Sequence, residues 1–133
     1  MREYGDSVNE PSLVYQDSFW RALEQLIYEY EFIVDRPRGT THPRYPDLIY
    51  PVDYGYLAGT KSMDGDGIDV WRGTGDSGID AIVVTIDLLK KDSEIKILFN
   101  CLPEEKECIL KLQNSGVMSA ILIERGSVAD CMK

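Results

Sequence analysis

Two strand-like segments, Ile79 to Leu89 and Glu94 to Cys101, are joined only by the charged turn Lys90-Lys91-Asp92-Ser93. So short a connection commits both to one sheet, and the β-branched residues within them need cover. Glu31 to Val34, Ile68 to Arg72 and Val117 to Glu124 carry further strand signals. An N-cap at Asp17 or Ser18 opens a short amphipathic helix with Trp20, Leu23, Leu26 and Ile27 on one face. Glu104 to Gln113 reads as a second helix, with Ile109 and Leu112 facing the core. The predicted fold class is mainly β with α (α+β). It is a five-stranded, closed or nearly closed OB-like barrel with an N-terminal helix and a helix before the last strand. Residues 1–12 are polar and predicted to be loose, and Pro37 to Pro46 is a loop rich in Pro, Gly and Thr. A length of 133 residues fits a single domain.

Net charge is −9, from 23 acids against 14 Lys plus Arg. That balance argues against broad binding to nucleic acid or an anionic membrane, which need a positive face. A single-strand-binding barrel would find tyrosines for stacking here, but its ligand's phosphates would meet the acids. No N-terminal stretch resembles a signal peptide and no run approaches membrane-spanning length, so the expected location is the cytoplasm. Cys101, Cys108 and Cys131 are odd in number, lack CxxC spacing and read as free thiols. His42 is the only histidine and nothing marks it as a base.

Asp64-Gly65-Asp66-Gly67-Ile68-Asp69 gathers three carboxylates within six residues. Hard oxygen ligands of this kind favour Mg²⁺, Mn²⁺ or Ca²⁺, and the glycines permit a tight turn. Asp-Gly pairs also make plain hairpin turns, and both readings suit the segment alone. An EF-hand is excluded, because counting from Asp64 puts Ile68 at position 5 and Gly75 at position 12. The acids must work with partners elsewhere. Asp35-Arg36-Pro37-Arg38-Gly39-Thr40, running on to Arg44-Tyr45, sets an acid, a Gly loop and a cation in order. Tyr50-Pro51-Val52-Asp53-Tyr54-Gly55-Tyr56 brings phenols just ahead of the acidic turn. Carboxylates for metal, a guanidinium and phenol donors suit a substrate rich in phosphate oxygens.

Together the three segments resemble the soluble family I inorganic pyrophosphatases. That family's Asp-x-Asp-Pro-x-Asp signature corresponds to Asp64 through Asp69, and its Tyr-Pro-x-Asn-Tyr-Gly-(Phe/Tyr) stretch to Tyr50 through Tyr56. Its Glu-x-Pro-Lys-Gly-Ser and Lys-Tyr-Glu elements correspond to Asp35 through Thr40 and to Arg44-Tyr45. The resemblance implies Mg²⁺- or Mn²⁺-dependent hydrolysis of pyrophosphate, or a related small phosphoanhydride, to orthophosphate. It implies Asp64, Asp66 and Asp69 as metal ligands, joined by Asp35, Asp92 and Glu94, with Asp66 helping to deprotonate the attacking water. Arg44, Tyr54 and Lys96 would hold the phosphates. A homo-oligomer is expected on the same ground. The chain departs from the family at Gly67, which replaces the signature proline, and at Pro46, which replaces a glutamate. A family arginine before Tyr-Pro and a Tyr-Lys pair on the C-terminal helix have no counterpart. These losses thin the substrate site more than the metal site. The alternative is therefore a weakened or inactive pyrophosphatase-like protein that binds metal and phosphate or a nucleotide.

Overall fold

The computed structural model describes residues 4–63 and 65–126, with side chains from residue 15 onward. In chain order the elements are α1 (Tyr4–Glu29), β1 (Phe32–Arg36), β2 (Asp53–Leu57), β3 (Ile68–Arg72) and β4 (Ile79–Asp87). β5 (Asp92–Phe99), α2 (Pro103–Gln113) and β6 (Met118–Glu124) follow. The fold is α+β, as the patterning predicts, but it has six strands rather than five. They form one sheet in the order β1-β2-β3-β5-β4-β6. No pairing among the described residues joins β1 to β6, so the sheet is open and the predicted barrel closure is corrected. Every neighbouring pair is antiparallel except β3 and β5. That parallel contact arises because β5 folds back into the gap between β3 and β4.

β4 explains the layering. Its sequence is almost continuously β-branched and its middle is buried on both faces, so it requires strands on both edges and cover on both sides. Trp20 and Leu23 of α1 supply one side, packing with Leu57, Val70, Ile82 and Ile97. Ile109 of α2 supplies the other, packing with Trp71, Ala81, Val83 and Leu98 beside Tyr50 and Val52. α1 lies across one end of the sheet. Tyr28 meets Phe99 edge-on at 6.4 Å, and the Arg125 guanidinium sits 5.8 Å from the centre of the Trp20 ring.

Two expectations change at the N-terminal half. The helix opens at Tyr4, well before Asp17 or Ser18, and takes in most of the segment predicted to be loose. Ser18 is not a cap: its hydroxyl donates to the Tyr15 carbonyl at 3.0 Å, the way a mid-helix serine satisfies itself. Asp17 pairs with Arg21 one turn on at 3.0 Å. The strand missed by patterning is β2, whose Pro51 approach and internal Gly55 lower its strand signal. Gly55 is needed there, because a Cβ would run into the Ile33 backbone carbonyl on β1.

α2 begins where expected. Pro103 opens it and the Glu105 carboxylate reaches back to the Leu102 N–H at 2.8 Å. Its buried Lys106 ammonium binds Glu124 at 2.8 Å and Asp80 at 3.1 Å, tying α2 to β6 and β4. Among the described residues no helix is long and apolar enough to cross a membrane. Replacing Gly55 with Ala should cost about 2–4 kcal/mol, because the obstacle is backbone and cannot turn aside. Urea unfolding of Gly55→Ala against the parent chain measures that loss.

Candidate functional site

On the α2 side of the sheet, strand register sets the site. Tyr54 lies opposite Trp71 and Tyr56 opposite Asp69 across β2 and β3. Val70 is level with Ile97 across β3 and β5, which brings Asp69 beside Lys96. The period of two along β5 then keeps Glu94 on the same face as Lys96.

Lys96 is the centre of this group. Its ammonium is buried and donates to the Tyr54 hydroxyl at 2.7 Å and to Asp69 Oδ2 at 3.0 Å. Glu94 Oε1 lies 3.6 Å from it. A buried ammonium is tolerated only when paired, and here two carboxylates and a phenol satisfy it. The Tyr54 hydroxyl holds its proton far more firmly than a free phenol. Burial is the main cause, then the charge of Asp69 and a hydrogen bond to that carboxylate, then Glu94. Tyr54 is thus a neutral donor to Asp69 while it accepts from Lys96.

Aromatic rings wall the site. Trp71 lies 4.3 Å from Tyr54, and Tyr50 stacks on Tyr54 at 5.9 Å while lying 5.8 Å from Trp71. His42 stacks on Tyr50 at 6.3 Å, and Tyr45, largely exposed, lies 5.0 Å from His42. The Tyr50 phenol is raised chiefly by burial, opposed by Arg36 and Lys96 and reinforced by Asp35.

Four of the residues named from sequence therefore meet: Tyr54, Asp69, Glu94 and Lys96. The others stand apart from that contact. Asp35 is the extra residue of a bulge between Val34 and Arg36, exposed and 4.0 Å from the Arg36 guanidinium. Its charge reaches the site only through its effect on Tyr50. Asp66 is exposed in its turn, where its carbonyl accepts from the Ser62 N–H at 2.7 Å. Arg44 lies in an exposed loop, its backbone N–H donating to His42 Nδ1 at 3.0 Å. Asp92 shares a face with Lys96 but lies about 13 Å further along β5. Asp64 falls outside the described residues.

Among the described residues no group of three His, Cys, Asp or Glu side chains gathers closely enough to hold a metal ion. The two carboxylates that do approach, Asp69 and Glu94, already face an ammonium. The described donor set does not fit a resident divalent ion.

Two positions matter more than sequence reasoning suggests. Asp53, matched above to the family's asparagine, accepts from the Arg38 N–H at 2.9 Å and from Arg72 Nη2 at 2.9 Å. It pins the start of the loop that leads to Arg44. Glu105 accepts from the Thr74 hydroxyl at 2.6 Å as well as from Leu102. Burial pushes its carboxyl up, but those hydrogen bonds and the Arg38 charge bring it below the ordinary value. The capping pattern after Pro103 is the sequence signal for Glu105; Asp53 has no comparable local signal. Cys101 is buried, with its thiol pushed up to about 12 by that burial, and is no nucleophile. Cys108 is exposed and free, and Cys131 lies outside the described residues.

No family model matches this chain. No curated protein matches it either. An inorganic pyrophosphatase from Neisseria gonorrhoeae is among the solved structures similar to it, at 15% identity and a TM-score of 0.49. That similarity covers 76% of this chain and 85% of the other.

Removing the Lys96 ammonium leaves two neighbouring carboxylates without their counter-charge. Lys96→Met should therefore destabilise by about 2–4 kcal/mol although it buries a less polar side chain. Chemical denaturation measures the loss, and an unchanged midpoint would show the pairing to be idle. Asp53 sits below the ordinary carboxylate value of 3.8, first through the Arg38 N–H and then through Arg72. A depressed folded-state value stabilises above the ordinary carboxylate range and stops doing so as pH falls through the folded value. Asp53→Asn should lower the melting temperature at neutral pH and flatten its fall below about pH 4.

Proposed function

We propose that this chain binds a small phosphoanhydride, pyrophosphate or a close relative, as its divalent-cation complex and hydrolyses it at the Tyr54–Asp69–Glu94–Lys96 group. One observation carries the reading. Residues that motif resemblance alone names as phosphate and metal contacts, drawn from three strands, share a single cluster of hydrogen bonds and ion pairs.

The charges suggest what can enter. Two carboxylates against one ammonium leave the cluster net negative, so a bare polyanion is repelled while its Mg²⁺ or Mn²⁺ complex is not. A divalent cation brought in with the substrate would supply charge neutralisation at the phosphates and a more acidic water. Lys96 offers a compact, oriented charge to a phosphate oxygen, and Tyr54 adds a donor without adding charge. Asp69 and Glu94 hold that ammonium in place. The acidic turn carrying Asp64 and Asp66 would complete the acidic side as the complex binds. Arg44, on the loop pinned by Asp53, would contribute the further cation.

A second reading, binding without turnover, draws on the same geometry. Lys96 is already neutralised by Asp69 and Glu94, and Arg44 and Asp66 are exposed.

Phosphate release from pyrophosphate with Mg²⁺ or Mn²⁺ separates the two. Hydrolysis predicts metal-dependent turnover that Asp66→Asn, a change at an exposed residue, lowers by about a hundredfold. Losing one charge-assisted contact in Tyr54→Phe should cost about tenfold to a hundredfold. No release above that of Asp66→Asn, with saturable heat on titrating magnesium pyrophosphate, would establish binding alone.

A further inference from the structure

We propose that the phosphoanhydride taken up at the Lys96 group belongs to a nucleoside di- or triphosphate whose base stacks on Tyr45, an assignment that rests on the phosphoanhydride reading of that group. The chain between β1 and β2 supplies the ring. Within it the Gly39 N–H donates to the Tyr50 carbonyl and the Tyr50 N–H to the Thr40 carbonyl, each at 2.9 Å. Thr41 pairs with Ile49, and the His42 N–H donates to the Leu48 carbonyl at 2.9 Å. The segment is thus a short hairpin arm, turned back where the Leu48 N–H meets the Tyr45 carbonyl. Arg44 and Tyr45 lie at its tip, between Pro43 and Pro46. Prolines on both sides restrict the backbone there, so a cation and a ring are held ready with less entropy to lose on binding.

A row of rings connects that tip with the charged group. Tyr45 lies 5.0 Å from His42, His42 stacks on Tyr50 at 6.3 Å and 10°, and Tyr50 stacks on Tyr54 at 5.9 Å and 22°. Tyr54 then accepts from Lys96. Tyr50 is buried, His42 is half-buried and Tyr45 is 58% exposed, so the row surfaces at its outer end. Arg44 is tied to the same row by its backbone N–H, which donates to His42 Nδ1 at 3.0 Å. A planar ligand ring can join the row at Tyr45, with ribose and phosphates following the rings inward to Tyr54 and Lys96. Stacking of this kind accepts any base, because every base has a π-face.

Three features favour a nucleoside over other occupants. Tyr45 offers the area of one ring, which matches one base, whereas a protein interface takes roughly 800 Å² from each partner. Single-stranded nucleic acid needs a basic groove along its backbone, and a net charge of −9 opposes that. Bare pyrophosphate has nothing to stack, so it leaves the exposed end of the row unused. A guanidinium next to an exposed ring is instead the pairing that an anionic aromatic ligand meets with both its parts.

Calorimetric titration of the full chain with the magnesium complexes of ADP, methyl diphosphate and pyrophosphate tests the proposal. Methyl diphosphate is a substituted diphosphate like ADP but lacks the ring. ADP should bind about tenfold or more tightly than methyl diphosphate, the gain expected from one stacked base. Tyr45→Ala should bring that ratio down to about one, and Tyr45→Phe, which keeps the ring, should preserve it. Tyr15→Ser, an exposed aromatic change on α1, should leave the ratio where it is. Circular dichroism melts matching the parent separate a lost ring contact from lost folding. Equal binding of ADP and methyl diphosphate by the parent chain, or a ratio unmoved by Tyr45→Ala, would overturn the nucleoside while the phosphoanhydride reading stands. No binding of any of the three ligands would overturn that reading and the nucleoside with it.

Discussion

β5 enters the sheet between β3 and β4, parallel to the first and antiparallel to the second. This insertion sets Asp69 beside Lys96, although 27 residues separate them in the chain. It also carries Lys96 within reach of Tyr54, 42 residues away. A buried ammonium has to find anions, and its partners then cannot leave without stranding it unpaired. The pairing therefore ties β2, β3 and β5 into one arrangement at the end of the sheet where the apolar packing of Trp71, Leu98 and Ile109 stops.

The two helices cover the sheet unequally, and the chemistry of the molecule follows from that. α2 and the Tyr50 loop bury the apolar part of one face and leave its far end to Glu94, Lys96, Asp69 and Tyr54. α1 crosses the other face near Phe99 and Arg125 and leaves the far end to Ile86, Ile95 and Ile121. Both unfinished regions lie at the same end of β4 and β5, back to back. The alternation Glu94-Ile95-Lys96 sets Ile95 on the face opposite Glu94 and Lys96, since successive side chains point to opposite faces.

Much of the fold was legible because its signals are short-ranged. The β4–β5 connection, the Pro103–Glu105 helix start, and the apolar stripe of Trp20, Leu23, Leu26 and Ile27 each act over a few residues. β2 was hidden because Gly55 serves a neighbour: it makes room for the β1 carbonyl, which no window around it reveals. The true start of α1 was hidden because Asp17 and Ser18 look like caps. Within a helix they simply bond to the adjacent turn. Barrel closure failed as an expectation because strand count and spacing do not say whether the first and last strands meet.

Sequence alone determined the residue types available to the site: the carboxylates, phenols and cations, their order, and an acidic net balance of −9. It also determined the alternation that assigns Glu94 and Lys96 to one face of a strand. Which of those residues touch was decided by tertiary structure alone. Strand order and register bring Tyr54, Asp69, Glu94 and Lys96 together while leaving Asp35 on a bulge and Asp66 and Arg44 in exposed loops. The physical reason is that a strand's neighbours are chosen by burial of the whole sheet. The contacts that follow cross dozens of residues and leave no local trace.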